Sequence, residues 1–227
     1  NRRTDQWGGS LENRARLLCE VIRAVRARVS PGFAVAVKIN SADFQRGGFD
    51  SADALATLKL LNELPVDLLE LSGGSYESPA MQGRTADGRT LAREAYFLEF
   101  ATQLAKEARM PLMTTGGIRR RAVAEQVIAE GVGIAGMATA LTIIPDLPAR
   151  WRAGEDSEAN LPPVNWSDKT LSALATMSVI KRQLRRLGAR RNSKPNASPL
   201  LSLILDRLRV KHLTGRYREW LGNNQTQ

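Results

Sequence analysis

Lys38 places a positive charge inside the apolar run VAVKIN of this 227-residue chain. A buried ammonium without a partner is costly, so a ligand or a carboxylate must face it. Two readings stay open. Either Lys38 reaches into a ligand cavity at a strand end, or it pairs with Glu70 on a neighbouring strand. Further along, Thr114, Thr115, Gly116 and Gly117 lead from an apolar run directly into a helical one. Glycines at such a turn let the backbone approach an anion, and exposed N–H groups with the helix dipole favour phosphate. Any strand-to-helix turn uses glycine as readily, so the pair draws its meaning from its position. Gly136, Met137, Ala138 and Thr139 close the next apolar run. The stretch SGGSYESPAMQG, from Ser72, has the composition of a substrate or cofactor lid, although Tyr76 and Glu77 read equally well as a plain connection.

Other chemistries lack the residues they need. The one histidine, His212, lies far from these runs in a basic tail, and there is neither a C-x-x-C nor a G-x-S-x-G. Metal hydrolysis and nucleophile-elbow catalysis have no support, and no metal site is expected. The one cysteine, Cys19, forms no internal disulfide and cannot anchor an iron–sulfur cluster. Its helical surroundings suggest a small buried apolar residue.

The elements that must position Lys38 and the glycines follow from periodicity. Leu11, Ala15, Leu18, Val21, Ile22, Val25 and Val29 fall near helical spacing behind the N-cap candidate Ser10, and Pro31 and Gly32 end that helix. FAVAVKIN is then a β-branched run of the kind buried in a parallel sheet. The cycle recurs with helices over 51–63, 91–108 and 119–130 and strands over 66–72, 111–115 and 132–137. Strands alternating with helices imply βαβ units on one parallel sheet, with the four strands adjacent in chain order. Four units make half of an eight-stranded barrel or most of an open doubly wound sheet, and in both, ligands sit at the carboxyl ends of the strands. Beyond Pro148 the pattern changes to a linker, EDSEANLPPVNW, a helix over 167–187, a Pro, Asn and Ser stretch at 192–199 and a helix from Leu200 to about Leu213.

Charge divides the same way. Residues 1–160 hold 20 Lys and Arg against 20 Asp and Glu, whereas residues 161–227 hold 13 against 3, so the net +10 lies in the tail. Solvated helix faces are the expected use of that excess. Nucleic acid is not an expected partner, because the tail carries Trp166, Tyr217 and Trp220 but no nucleic-acid module. The 43% apolar content suffices for a sizeable core, and no apolar run reaches the roughly 18 residues of a membrane span. A cytoplasmic setting is expected. The chain opens on Asn1 inside a dense polar and glycine motif, so it reads as part of a longer protein.

That opening, NRRTDQWGGSLENRARLL, resembles the signature of the NADH:flavin oxidoreductase or Old Yellow Enzyme family. VAVKINSADFQRGGF, LLELSGGSYESPAM, TTGGI and GIAGMATALTIIPDLP extend the resemblance, in family order, to about residue 152. The resemblance implies an α/β fold, the C-terminal half of a TIM (β/α)8 barrel comprising strands five to eight, with appended C-terminal helices. It implies FMN at the carboxyl face, reduced by NADH or NADPH and reoxidised by hydride transfer to a small electron-poor alkene or related acceptor. The expected boundaries are a partial FMN-binding barrel over 1–153, a linker over 154–166 and a basic helical extension over 167–227.

By motif, Lys38 takes the place of the basic residue at the flavin pyrimidine edge. Thr115, Gly116 and Gly117 match the phosphate-binding turn, and Ala138 and Thr139 match the last phosphate loop. Thr139 stands where the family usually has Arg, which implies an FMN contact weaker by about 1–3 kcal/mol. Gly133 and Trp7 also depart from the usual Asp and Tyr or Phe. The family's acceptor-binding His/His or His/Asn pair and its frequent proton-donating Tyr lie upstream of the signature, so no catalytic residue is assigned here and the isolated chain is expected to be inactive. Raw strand edges favour association, including homo-oligomers. The competing readings are a phosphate-binding barrel lyase or isomerase with Lys38 as Schiff-base lysine, and a basic fragment that binds anions.

Overall fold

A computed structural model describes residues 1–43, 47–73, 94–95 and 97–224. They form two compact units, Asn1–Met137 and Ala138–Gln227. The first unit contains α1 (Leu11–Arg26), β1 (Ala36–Asn40), α2 (Ser51–Leu61), β2 (Leu68–Ser72), α3 (Leu98–Ala105), β3 (Leu112–Thr114), α4 (Arg121–Ala129) and β4 (Ile134–Ala135). The Ser10 hydroxyl caps α1 by accepting from the Asn13 N–H at 3.3 Å, and the Asp50 carboxylate does the same for α2 through the Asp53 N–H at 2.9 Å. Both helices end in turns without a left-handed cap residue.

The four strands form one parallel sheet in the order β1-β2-β3-β4, as the alternation of elements implies. Its register sets the site: Lys38 lies opposite Glu70, Glu70 opposite Met113, and Met113 opposite Ile134. Paired residues share a face and successive residues alternate. Val37, Leu69, Leu71 and Leu112 therefore point the other way, into a core that Ile22, Leu58, Leu61, Leu104 and Val127 complete from the helices. Helices cover one face of the sheet among the described residues. A brace closes its amino end, where the Asp67 carboxylate accepts the Val35 N–H at 2.7 Å and pairs with Arg26.

The second unit holds α5 (Thr139–Ile143), α6 (Leu147–Arg152), α7 (Lys169–Gly188) and α8 (Pro199–Asn224). The Asp168 carboxylate caps α7 through the Thr170 and Leu171 N–H groups. Buried Gln183 binds the connection to α8, its amide oxygen accepting the Lys194 N–H at 2.7 Å. Asp206, on α8, accepts from Arg185 at 2.7 Å and Lys181 at 3.2 Å, both on α7.

Several expectations are corrected. The last helix runs to Asn224 rather than about Leu213, because each of its glycines, Gly215 and Gly222, costs only about 1 kcal/mol inside a helix. The short helices α5 and α6 follow β4 where periodicity was too brief to show them. Cys19 is half-buried rather than buried. The strands are shorter than their apolar runs, down to Ile134–Ala135 for β4. Part of the helix expected over 91–108 falls outside the described residues, and α3 begins at Leu98.

Two outcomes follow. Leu69 is fully buried at the centre of the core, so Leu69→Ala should lower unfolding stability by about 2–5 kcal/mol in urea titration. Burial alone would raise the Asp206 carboxyl, but hydrogen bonds from Arg185 and Lys181 outweigh it and hold the group below its ordinary range. A depressed carboxyl stabilises the fold above its unfolded-state value, and that stability is lost as pH falls through the folded one. Acid titration followed by helical circular dichroism should therefore show a loss in the α7–α8 pair below the ordinary carboxylate range that Asp206→Asn removes.

Candidate functional site

Lys38 stands on the face of the sheet that no described helix of the first unit covers. Its ammonium donates to the Glu70 carboxylate at 2.5 Å, and its side chain is 57% exposed against 20% for Glu70. Of the two readings of Lys38, the Glu70 pairing is the contact formed, and it lies on the uncovered face rather than among the helices. The expectation of a buried ammonium is corrected: an open sheet face leaves it wet, and the carboxylate answers its charge.

Thr115, one residue beyond β3, is tied back to β2 by its N–H and its hydroxyl, both donating to the Leu71 carbonyl at 3.3 Å. Gly116 and Gly117 then take φ of 126° and 72°, a left-handed turn that side chains strain to adopt. Ile118 returns the chain to the core. The N–H groups of Gly116, Gly117 and Ile118 bond to no other described residue. Directly after them the Arg119 and Arg120 N–H groups donate to one oxygen of the buried Glu94 carboxylate at 3.0 and 3.1 Å. Its other oxygen faces the guanidinium Nε of Arg120 at 2.7 Å and of Arg119 at 3.2 Å.

Gly136 lies beside this turn. A Cβ there would stand 2.5 Å from the Thr115 methyl and 3.1 Å from the Thr114 carbonyl oxygen, so only glycine lets the two strand ends approach this closely. In the second unit, Ala138 is the N-cap residue of α5 and Thr139 its first residue, and both are exposed. Ser72 and Gly73 open the Gly-rich loop, whereas Tyr76, Glu77 and the rest of it lie outside the described residues. Sequence reasoning missed Glu94. Its only signal was an acid in REAYF among residues assigned to a helix, which gave no hint that it reaches the start of α4.

The model of the NADH:flavin oxidoreductase / NADH oxidase family matches residues 1–158. The chain belongs to that family. An NADH-dependent flavin oxidoreductase, iliE, of Neonectria sp. (strain DH2) is 35% identical over 185 residues, which are 78% of this chain and 24% of that protein. The solved structure of a 2-naphthoyl-CoA reductase with 2-naphthoyl-CoA is 30% identical with a TM-score of 0.61, over 68% of this chain and 23% of that one. An old yellow enzyme homologue from Zymomonas mobilis matches with a TM-score of 0.52 over 70% of this chain and 42% of that one, a likeness of fold at 23% identity. This family member thus spans well under half the length of the proteins it matches.

FMN, with NADH or NADPH as reductant, is the cofactor of this oxidoreductase family. The chemistry of the described residues fits it. Three consecutive N–H groups that bond to no described residue are donors of the kind a phosphate accepts from, and Lys38 adds a cation to the uncovered sheet face. The close approach at Gly136 gives a direct test. Gly136→Ala should cost about 1–3 kcal/mol of stability, since neither the Thr114 backbone nor the β-branched Thr115 can give way freely. Unchanged urea unfolding would show that the two strand ends are looser than described.

Proposed function

We propose that this chain supplies strands five to eight of an FMN-dependent (β/α)8 barrel oxidoreductase that moves hydride from NADH or NADPH to a small electron-poor alkene or related acceptor. The observation that carries it is the order of the elements: four adjacent parallel strands, with the cation Lys38 on the first and, after the third, a glycine turn whose N–H groups bond to no described residue. FMN, when bound, would supply the hydride-transfer chemistry between the nicotinamide and the acceptor.

The residues of the chain bind and stabilise. Gly116, Gly117 and Ile118 offer backbone donors to the phosphate, and Thr115 anchors the turn. Ala138 and Thr139 enter as phosphate contacts by their motif alone. Lys38 would offer its ammonium to the negative charge that develops at the pyrimidine edge, and Glu70 holds that ammonium by its ion pair.

The described surface supports the reading of a partial barrel. Leu17, Val21 and Val25 form an apolar line along α1, spaced by four and exposed. Ile134 is exposed on the uncovered sheet face. A missing set of strands and helices would cover both, and would bring the groups that hold the acceptor.

Purified residues 1–227 should accordingly come out colourless and reduce no cyclohexenone with NADH or NADPH, even with excess FMN. A version extended upstream through four more strands should recover both binding and turnover. Stoichiometric FMN kept by the 227-residue chain through gel filtration overturns the partial-site reading. In the extended version, Lys38→Ala should slow flavin reduction at least tenfold without lowering the melting temperature, and Thr139→Arg should tighten FMN about tenfold through a charged phosphate contact.

A further inference from the structure

The Glu94 side chain is buried, with 3% exposed, and among the described residues four donors face its carboxylate. They are the N–H groups of Arg119 and Arg120 and the guanidinium Nε atoms of the same two residues. It comes from the segment before α3, 25 residues upstream of Arg119, so its bonds tie two separate stretches of chain together. The start of α4 has no cap of its own, because Arg120 at the N-cap makes no side-chain capping bond. A carboxylate near the positive end of a helix is favourable, and this one supplies what the local sequence lacks.

The consequence lies just upstream. The left-handed turn at Gly116 and Gly117 is pinned on one side by Thr115 on the Leu71 carbonyl. On the other it is pinned by the core side chain of Ile118 and then by Glu94. Between the pins are the three N–H groups that bond to no described residue. We propose that Glu94 is a positioning residue that holds these N–H groups convergent for a phosphate, an inference that rests on the phosphate reading of the turn. Its own charge opposes an anion, and Arg119 and Arg120 offset it. Its contribution is therefore the placement of its oxygens and not its charge.

That distinction is measurable on the 227-residue chain. Amide shifts of Gly116, Gly117 and Ile118 are followed by ¹⁵N NMR during titration with inorganic phosphate, FMN and riboflavin, which lacks the phosphate. In the unsubstituted chain, phosphate and FMN should shift these amides at millimolar concentration and riboflavin should not. Glu94→Asp keeps the charge but draws the oxygens back, and should weaken the phosphate response at least fivefold. Glu94→Gln removes the charge but keeps an acceptor in place, and should stay within twofold. Absence of any phosphate response in the unsubstituted chain refutes the phosphate reading of the turn, and the inference falls with it. A response that Glu94→Asp leaves intact, or that Glu94→Gln abolishes, refutes the positioning role alone. Should Glu94→Asp fail to fold, the Glu94→Gln titration decides by itself.

Discussion

Everything in the first unit depends on the parallel register that sets Lys38 against Glu70 and Glu70 against Met113. With side chains alternating along each strand, that register sends Leu69, Leu71 and Leu112 to the helices and leaves the charged pair on the opposite face. A slip of one residue would bury Lys38 and Glu70 among leucines and expose the core. The hydrophobic penalty of that slip fixes the position of the one cation the sheet carries. Packing and electrostatics are thus one constraint, enforced by the core and expressed on the uncovered face.

The same economy appears at the carboxyl edge. Backbone N–H groups become an anion site only if they are left without partners yet held rigid, and these demands conflict, since rigidity usually comes from hydrogen bonding the same groups. The stretch from Thr115 to Arg120 separates them. Thr115, Arg119 and Arg120 are bonded within the protein, and the three residues between them are held by their neighbours. Gly136 completes the arrangement by letting the next strand end approach without a side chain between.

Much of this was legible in the sequence, for physical reasons that differ by element. The β-branched and leucine-rich runs around Lys38 and Glu70 announce buried strands because burial is a property of composition. The order of the strands followed from the helical periods between them. Lys38 was legible as a charge in an apolar run, but its partner was not fixed, because sequence gives no register between strands 32 residues apart. Glu94 was invisible for the same reason: its partners Arg119 and Arg120 are distant in sequence, and one acid before an aromatic pair has no periodicity to mark it. The continuation of α8 to Asn224 was missed because Gly215 reads as a breaker, while the propensity of the whole helix outweighs one residue.

These contacts also determine what kind of anion site the chain can offer. Lys38 is matched by Glu70, and Arg119 and Arg120 share Glu94. Lys38 is thus answered within the sheet, Arg119 and Arg120 are drawn to one carboxylate, and the net surplus of the chain lies in residues 161–227. A phosphate held here would be recognised by the direction of backbone dipoles more than by net charge. Dipole recognition falls off steeply with distance and angle, whereas the attraction of a free guanidinium tolerates displacement. A site of this type gives up long-range capture and depends on the shape of its turn, which is why the residues that fix that shape, Thr115, Ile118 and Glu94, matter as much as the glycines that form it.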